Sequence, residues 1–464
     1  MRNYMKNNKG ITIIPLIITI ALMLIIGGIG ISLSLGNNGI LNKSANAVDI
    51  YKQAEKEEEE HYDERYLQML SAGDDVKEIK NDNGTKVATK VYDGNDKFFV
   101  LPEGFYYVGG TVDSGVVISD NSIDENKYKG KSDVGKDLIG NQYVWVPADG
   151  VNLSYRKHEY VTTAANTEGF TDTSSTPDTG NGNWRTFYYR MYTDWTDSGA
   201  NVASVAKYGG FYVGRYEAGY EDVADGSTYK VGVNKNTGSG VPLSKAGVAC
   251  WNYISQTNSK KIAQNLSYES VTSNLIDGNA WDTVMDWFTT DGVNVNSSTS
   301  FGNYYDNRST VPAGTIYAMH IYRSVKSGQT GSAGWLVASK YKEAEESFTA
   351  GGGTSITTLE GLQQYTNVTE IDTTTYSYTT NLELTTGAVE DYKVKNIYDM
   401  AGNMWEWTIE EGKHNASSSF AVRRGGSFSS TGTSDPACCR HGNAGVGYAY
   451  ISIGFRVSLY INLQ

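Results

Sequence analysis

Three short blocks near the C-terminus constrain the fold of this chain most strongly. They are NMWEWT at residues 403–408, RGGSF at residues 424–428 and GFRV at residues 454–457. Between the last two blocks lies a stretch rich in Ser, Thr, Gly, Ala and Tyr, with two adjacent cysteines and no obvious structural pattern. A fixed frame around an irregular insert indicates a binding surface built to vary, and we place this region at residues 427–458.

The N-terminus carries a long apolar run. Residues 11–35 contain no charged side chain and follow a basic segment, residues 1–10. As a helix the run would be about 37 Å long, enough to cross a hydrocarbon core of about 30 Å. We therefore predict a transmembrane helix over residues 11–35. The basic flank predicts a single-pass protein of the cell membrane, with a cytoplasmic N-terminus and an extracellular head.

The junction between these two segments resembles the leader of type IV prepilins. In that family a membrane peptidase cleaves after the glycine that precedes the apolar run, which implies cleavage between Gly10 and Ile11. The resemblance also implies other pilins as partners and a place on a pilus. Pro15 stands where most type IV pilins carry a glutamate that sets the register of subunits, so assembly into a filament stays open.

A helical stalk is predicted at residues 36–73, where a short apolar stripe precedes a glutamate-rich run at residues 55–60. Gly73 is a suitable C-cap for this helix. Residues 74–97 are predicted to form a linker that contains a first strand at residues 86–92. We expect the globular head to follow at residues 98–464.

The overall charge and the residue usage exclude some classes of protein. The 464 residues carry a formal net charge of −13, and no basic stripe is present to neutralise phosphates, so nucleic acid is not expected as a partner. With 34 tyrosines, 51 glycines and only 7 prolines, the chain suits a loop-rich, solvent-facing architecture. Three cysteines cannot build a disulfide framework.

Short strands and helices mix in the predicted head, which indicates the α+β class. Two short strands around a Pro-Glu-Gly turn are expected at residues 100–108, and further strands at residues 143–147 and 211–217. Helices are expected at residues 245–256 and 278–288, and the second has an apolar face. Long surface loops are expected in the Thr/Ser/Gly-rich stretches, residues 162–183 and 349–380.

These blocks, in this order, resemble the sulfatase-modifying-factor family, also called formylglycine-generating-enzyme-like domains, over residues 141–461. The resemblance implies a modified C-type-lectin fold, with little regular structure and a core pinned by buried Trp and Arg. Buried aromatic rings, arginine donors and paired glycines at a turn are physically suited to that role. The residues assigned to this structural frame are Trp405, Trp407, Arg424, Gly425, Gly426, Phe455 and Arg456.

The family includes oxidases that convert a substrate cysteine to formylglycine with two thiolates that hold copper. In this chain Cys438 and Cys439 are adjacent, so their side chains diverge, and the family's first cysteine position falls on Ser429 or Ser430. The five histidines are scattered, without a pair at helical metal-binding spacing. We therefore predict no catalytic residue and no required cofactor, and the copper oxidase remains the alternative. Structural calcium is implied by the resemblance, but no acidic cluster identifies its ligands.

The insert also resembles the variable region of proteins diversified by retroelements. There, unfaithful copying of adenines converts asparagine codons into many others, but not into Lys, Glu, Gln, Met or Trp codons. None of these five types occurs in residues 425–463. A Gly/Ser/Tyr-rich loop could also lack them by chance, so both interpretations stay open. Tyrosines give large, stiff contact areas, and His, Asn and Ser supply adaptable hydrogen bonds.

From this pattern we predict a ligand-binding surface for an extracellular protein or glycan. Its residues are Ser429, Ser430, Cys438, Cys439, His441, Asn443, Ala444, Val446, Tyr448, Tyr450 and Ser452. Tyr448 and Tyr450 would share a face if their stretch is extended. The predicted function is that of a membrane-anchored adhesin or receptor. A third interpretation is a minor pilin with a purely structural head.

Overall fold

The structure, a computed structural model, describes residues 77–93, 95–148, 192–193, 199–220, 231–233, 235–312, 315–325, 334–343, 376–415 and 418–463. The predicted leader, transmembrane helix and stalk lie outside these residues, as does the predicted loop at residues 162–183. Among the described helices, none combines the length and apolar character needed to span a membrane.

The architecture mixes helices with a larger amount of sheet. The strands are β1 (Lys77–Lys80), β2 (Lys86–Tyr92), β3 (Phe98–Pro102), β4 (Tyr106–Gly109), β5 (Val117–Ser119), β6 (Gln142–Pro147), β7 (Tyr192–Thr193), β8 (Gly210–Gly214), β9 (Gly219–Tyr220), β10 (Ala249–Cys250), β11 (Val271–Leu275), β12 (Ile316–Val325), β13 (Gly334–Glu343), β14 (Tyr376–Leu384), β15 (Lys393–Val394), β16 (Ile397–Tyr398), β17 (Trp405–Asn415), β18 (Ser418–Arg424), β19 (Arg440–Ala444), β20 (Ile453–Phe455) and β21 (Val457–Ile461). The helices are α1 (Gly199–Tyr208), α2 (Gln256–Ala263) and α3 (Gly278–Thr289).

A six-stranded antiparallel sheet in the order β11-β21-β8-β6-β5-β4 joins distant parts of the chain. Its strands β6 and β8 correspond to the strands predicted at residues 143–147 and 211–217. Every residue of β8 is buried, which explains its continuous apolar sequence, because a strand covered on both faces shows no alternation. The C-terminal strand β21 lies between β11 and β8 and ties the end of the chain into this sheet.

Strand β2 covers residues 86–92, the bounds predicted for it. It pairs with β1 on one side and with β3 on the other, both antiparallel. Residues 77–92, within the range that we assigned to a linker, therefore belong to the same sheet as the start of the predicted head. Val87 and Ala88 of β2 bury their side chains in the core beside Phe99 of β3.

The sheet that carries the C-terminal blocks has the order β19-β18-β17-β20, with β7 also paired to β17. Strands β17 and β20 run parallel, so Trp405 pairs with Ile453 and Trp407 with Phe455. Strands β17, β18 and β19 are antiparallel neighbours. The three sequence blocks, separated along the chain, thus meet in one sheet.

Two element predictions need correction. Residues 245–256 do not form a helix, because Ala249–Cys250 pairs with Gly219–Tyr220 as β10 and satisfies its backbone there. Helix α2 instead begins at Gln256, where Ser255 caps it by accepting a hydrogen bond from Asn258 N at 3.3 Å. Residues 376–380, expected in a loop, open strand β14, which pairs with β12.

Helix α3 forms where the apolar spacing predicted it. Asp277 is its N-cap and accepts a hydrogen bond from Ala280 N at 2.6 Å. The Trp281, Val284 and Phe288 side chains are fully buried in one core cluster. Asp282 on this helix is also buried, although it is charged, which requires a partner in the interior.

Candidate functional site

The frame residues lie in the interior. Trp407, Arg424, Phe455 and Arg456 have no exposed surface, and Trp405 is 5% exposed. Trp407 Nε1 donates to Ile254 O at 2.7 Å, so its one polar atom is satisfied. The frame therefore consists of buried groups whose polar atoms find partners inside the fold.

Gly425 and Gly426 form a turn that no other residue fits. Their φ angles are 88° and 77°, in the left-handed region that glycine adopts without steric cost. A Cβ on Gly426 would lie 2.2 Å from Asp435 O, a backbone atom that cannot move aside alone. The turn thus fixes the point at which the irregular insert leaves strand β18.

Four buried charged residues form a charge ring, which we define as Asp282, Glu410, Arg424 and Arg440. Arg424 Nη2 lies 2.6 Å from Asp282 Oδ1, and Arg440 Nη2 lies 2.9 Å from Asp282 Oδ2. On the other side, Arg440 Nε lies 2.7 Å from Glu410 Oε1, and Arg424 Nη1 lies 3.4 Å from Glu410 Oε2. The two arginines balance the two carboxylates, as buried charges require.

The charge ring joins the two ends of residues 425–439. Arg424 ends β18 before the insert and Arg440 begins β19 after residues 425–439. Arg424 Nε also donates to Cys439 O at 2.9 Å. Arg424 was predicted from the sequence, but Arg440 and Glu410 were not. Both lie in strands that contain several other polar side chains, so no local signal marks them.

A second buried ion pair anchors the last block. Arg456 Nη2 and Nε donate to Glu406 Oε1 and Oε2 at 2.6 and 3.0 Å, a bidentate contact. Arg456 also donates to Gly214 O, which links the block to the six-stranded sheet. Burial raises the pKa of Glu406 to about 6, and the Arg456 charge opposes this rise. The neighbouring Asp399 has its pKa raised to about 6 by burial as well.

One exposed part of the insert, besides Thr433 and Ser434, is a short segment that we call the tyrosine loop, residues 445–451. Gly445, Gly447 and Tyr448 are exposed, with Tyr448 at 42%, while Val446 and Tyr450 are half-buried. The Tyr448 and Tyr450 rings are nearly parallel, with centroids 6.1 Å apart and an interplanar angle of 12°. A hydrogen bond from Tyr448 N to Gly445 O at 2.8 Å closes a turn before the rings.

Hydrogen bonds from Tyr253 and Thr257 hold the backbone of the tyrosine loop. Tyr253 N donates to Tyr450 O at 3.1 Å, and Thr257 N donates to Val446 O at 3.1 Å. A Cβ built on Gly445 or Gly447 meets no atom within 4 Å, and neither glycine has a positive φ. The loop is held by main-chain contacts and leaves room for different side chains.

Tyr253 was not identified from the sequence. Its φ of 55° makes it the only aromatic residue with a positive φ among the described non-glycine residues. This conformation costs about 1–2 kcal/mol for a residue with a Cβ. The residue is 42% exposed, so its side chain is only partly buried. No local signal in a single sequence marks a tyrosine for this conformation.

Several predicted surface residues are in fact buried, which corrects the predicted surface. Cys438 and Cys439 have no exposed surface, and Ser430, His441 and Ser452 are exposed by 8% or less. For His441 the reason is the pairing of β18 with β19, which sets it opposite Arg423, with its ring against Trp405, while Cys438 and Cys439 pack into the core clusters. Burial, followed by the charge of Arg423, lowers the pKa of His441 to about 2.

The remaining predicted surface residues divide as follows. Ser429 is half-buried, and its hydroxyl lies 2.9 Å from that of Ser427. The side chains of Asn443 and Ala444 lie outside the described part of the chain, although their backbone belongs to β19. Val446, Tyr448 and Tyr450 are the members of the predicted set that meet at one loop.

Residues 332–460 match the family model described as the Sulfatase-modifying factor enzyme 1-like domain. The chain carries a sulfatase-modifying-factor-like domain. The match covers the charge ring's Glu410, Arg424 and Arg440 as well as the tyrosine loop. A comparison of the chain with curated proteins gives no match.

The two adjacent cysteines of this sulfatase-modifying-factor-like domain do not fit a shared copper ion. Cys439 packs in one core cluster and Cys438 in another, so their sulfurs point apart. Cys438 Sγ donates to Asn296 Oδ1 at 3.2 Å, and Cys439 Sγ lies 3.8 Å from Asp435 Oδ1. Burial raises the pKa of Cys438 to about 12 and that of Cys439 well above its usual value. In the metal-free chain both are therefore neutral thiols near pH 7.

A second buried polar cluster surrounds Cys250. Glu217 accepts hydrogen bonds from Asn403 Nδ2 at 2.6 Å, Met404 N at 2.9 Å and Cys250 Sγ at 3.3 Å. Burial, with nearby carboxylates, raises the pKa of the Cys250 thiol well above its usual value, so it is a poor nucleophile. In the described residues, no group of three or more His, Cys, Asp or Glu side chains is arranged to hold a metal ion.

Proposed function

We propose that this chain is a non-enzymatic ligand-binding protein of the cell surface, whose sulfatase-modifying-factor-like domain presents the tyrosine loop to an extracellular protein or glycan. The observation that carries the proposal is the contrast between anchored backbone and open side-chain space in this loop. Tyr448 is exposed while hydrogen bonds hold the loop at Val446 and Tyr450.

The distribution of stability around the insert supports this proposal. The charge ring and the turn at Gly425 and Gly426 hold the fold through buried groups that do not belong to the loop. Side chains at the loop can change without removing those contacts. Surface substitutions away from such contacts usually alter the free energy of unfolding by no more than about 0.5 kcal/mol. The proposal includes diversification of these loop side chains by a retroelement.

The location at the membrane is proposed from the N-terminal sequence. The uncharged run at residues 11–35 has the length of a spanning helix, and the basic flank places the head outside. Cleavage between Gly10 and Ile11 and incorporation into a pilus belong to the same proposal. A minor pilin with an inert head is its alternative, and a chain without the tyrosine-loop side chains would then retain every activity.

The copper oxidase is the enzymatic alternative, and the family match favours it. The diverging side chains of Cys438 and Cys439 argue against it in this chain. The direct check is to incubate the purified full chain with copper, dioxygen, a thiol reductant and a cysteine-containing substrate peptide, with a sample that lacks the protein as the control. Formation of the peptide aldehyde only in the presence of the protein would contradict the non-enzymatic proposal.

The binding proposal is tested with the full chain in detergent micelles on an array that carries glycans and purified extracellular proteins. The variant replaces Tyr448 and Tyr450 with alanine, and Ile123→Ala, which removes another exposed apolar side chain, is the control. We expect the double variant to lose at least about tenfold in affinity for any captured ligand, because tyrosines dominate such contacts. Equal binding by wild type and the double variant, at equal unfolding temperature, would rule the tyrosine loop out.

A further inference from the structure

We infer that the ligand surface extends from the tyrosine loop onto residues 253–257, that Tyr253 is a fixed aromatic contact of this surface, and that the ligand is an uncharged carbohydrate. This inference rests on the proposed function and adds a contact residue and a ligand class to it.

The first support is the position of Tyr253. Its N–H donates to Tyr450 O at 3.1 Å, and Thr257 N donates to Val446 O at 3.1 Å. Residues 253–257 and the tyrosine loop are therefore neighbouring segments. Tyr253 and Tyr448 are the only aromatic side chains among the large apolar residues that are exposed in the described part of the chain. Both lie on these two segments.

The second support is the backbone conformation. A bulky residue in the left-handed region is an outlier that persists only where the surrounding structure imposes it. Asn or Gly would adopt the φ of 55° at Tyr253 with less strain. The residue is only partly buried, with 42% of its surface exposed. A strained backbone that presents an exposed aromatic ring is typical of a contact residue.

The ligand class follows from what the surface offers. Residues 442–452 and residues 251–257 contain no Asp, Glu, Lys, Arg or His, and Lys260 and Lys261 follow one turn further along helix α2. A charged ligand would find no ionic partner on these segments. The surface instead presents aromatic rings and tyrosine hydroxyls, together with the exposed Thr257, whose Oγ1 donates to Val446 O at 3.2 Å and can still accept a hydrogen bond. Rings contact the C–H faces of a sugar and hydroxyls exchange hydrogen bonds with its hydroxyls.

The test uses the full chain in detergent micelles and immobilised neutral polysaccharides (dextran, mannan, galactan and chitin). Anionic polysaccharide and an array of uncharged peptides serve as comparisons. We expect the wild type to bind at least one neutral polysaccharide. That binding should change little between about 0.01 M and 1 M salt, because no charges are screened. Binding only to the anionic polysaccharide or only to peptides would overturn the inference that the ligand is an uncharged carbohydrate.

The role of Tyr253 is tested with Tyr253→Asn and Tyr253→Phe. Tyr253→Asn should weaken binding at least about tenfold and should leave the unfolding temperature unchanged or higher, because Asn accepts the backbone conformation. Tyr253→Phe keeps the ring, and its affinity should lie between those of Tyr253→Asn and wild type. Unchanged affinity in Tyr253→Asn, or a clear fall in its unfolding temperature, would overturn the contact role.

These outcomes separate the inference from the proposed function. Binding to a protein or peptide that depends on Tyr448 but not on Tyr253 would leave the function standing and overturn the inference. Ligand binding that depends on neither Tyr448 nor Tyr450 would overturn both.

Discussion

Arg424 and Arg440 are direct cross-strand partners in β18 and β19, and both are fully buried. Directly paired residues project from the same face of a sheet, where two like charges repel. Asp282 from helix α3 and Glu410 from strand β17 each contact both guanidinium groups, which neutralises the pair. The ends of residues 425–439 are thus joined through side chains from two other elements.

Removing one carboxylate from the charge ring should destabilise the protein strongly. Asp282→Asn leaves two buried arginines with one anion, and we expect a loss of about 3–5 kcal/mol in the free energy of unfolding, measured by chemical denaturation. Glu103→Gln is the matched control, because its partner Lys86 lies 2.9 Å away on the surface and the pair is half-exposed. That control should change stability by less than about 1 kcal/mol. Equal losses in both variants would contradict the role of the ring.

Two glycines in the insert should respond oppositely to alanine. Gly426→Ala places a Cβ 2.2 Å from Asp435 O at a φ of 77°, and should cost at least about 2 kcal/mol. Gly447→Ala meets no atom within 4 Å, and should leave stability unchanged or raise it by up to about 1 kcal/mol. Denaturant unfolding of both variants measures the difference. A large loss in Gly447→Ala would show that the tyrosine loop does not tolerate side chains.

Asp399 should make the protein less stable as the pH rises through 6. Its folded-state pKa is raised from 3.8 to about 6, chiefly by burial. The folded state therefore holds a proton that the unfolded state releases between those values, so the stabilisation is complete below pH 4 and is lost above pH 6. Asp399→Asn mimics the protonated form and can still accept the hydrogen bond from Gly387 N. Its advantage over wild type should grow, on the order of 2 kcal/mol, from pH 4 to pH 7.

Denaturant unfolding at several pH values provides the measurement for Asp399. Comparing the variant with wild type cancels the contributions of groups that do not interact with Asp399, such as His441, whose lowered pKa favours the opposite trend. Glu217 and Glu406 are not cancelled, because the Asp399 charge raises their pKa values. A difference between the two proteins that stays constant from pH 4 to pH 8 would show that Asp399 keeps its ordinary pKa.

The cysteines should resist alkylation while the protein is folded. Cys250, Cys438 and Cys439 are buried free thiols, and burial raises the pKa of each. Reaction needs an accessible thiolate, so labelling by iodoacetamide should follow global unfolding. Mass spectrometry after timed labelling measures this, with the same chain in denaturant as the control. Rapid native labelling of Cys438 or Cys439 would favour an exposed, reactive site and the oxidase alternative.

Local sequence pattern predicted the elements in which packing agrees with propensity. Helix α3 has an apolar face and an Asp cap, and β6 and β8 are short apolar runs bounded by turn residues. The predicted helix at residues 245–256 failed because β10 satisfies its backbone by pairing with β9, which is distant in sequence. Periodicity in one segment carries no information on such a partner.

Local sequence pattern likewise predicted only some features of the candidate site. The exposure of Tyr448 agrees with the sequence-based expectation, since Gly and Tyr in an irregular stretch are typical of a surface loop. Cys438, Cys439 and His441 belong to that same stretch, but the β18–β19 register turns His441 inward and core packing buries the two cysteines. Tyr253 joins the site only because two segments far apart in the chain share hydrogen bonds.

The sequence alone determined which residues are chemically suited to a frame: tryptophans, arginines and a glycine pair whose properties are local. The tertiary structure decided which carboxylates neutralise those arginines and which side chains of the insert reach solvent. The physical reason is that both outcomes depend on contacts between residues such as Asp282 and Arg440, which are far apart along the chain and meet only after folding.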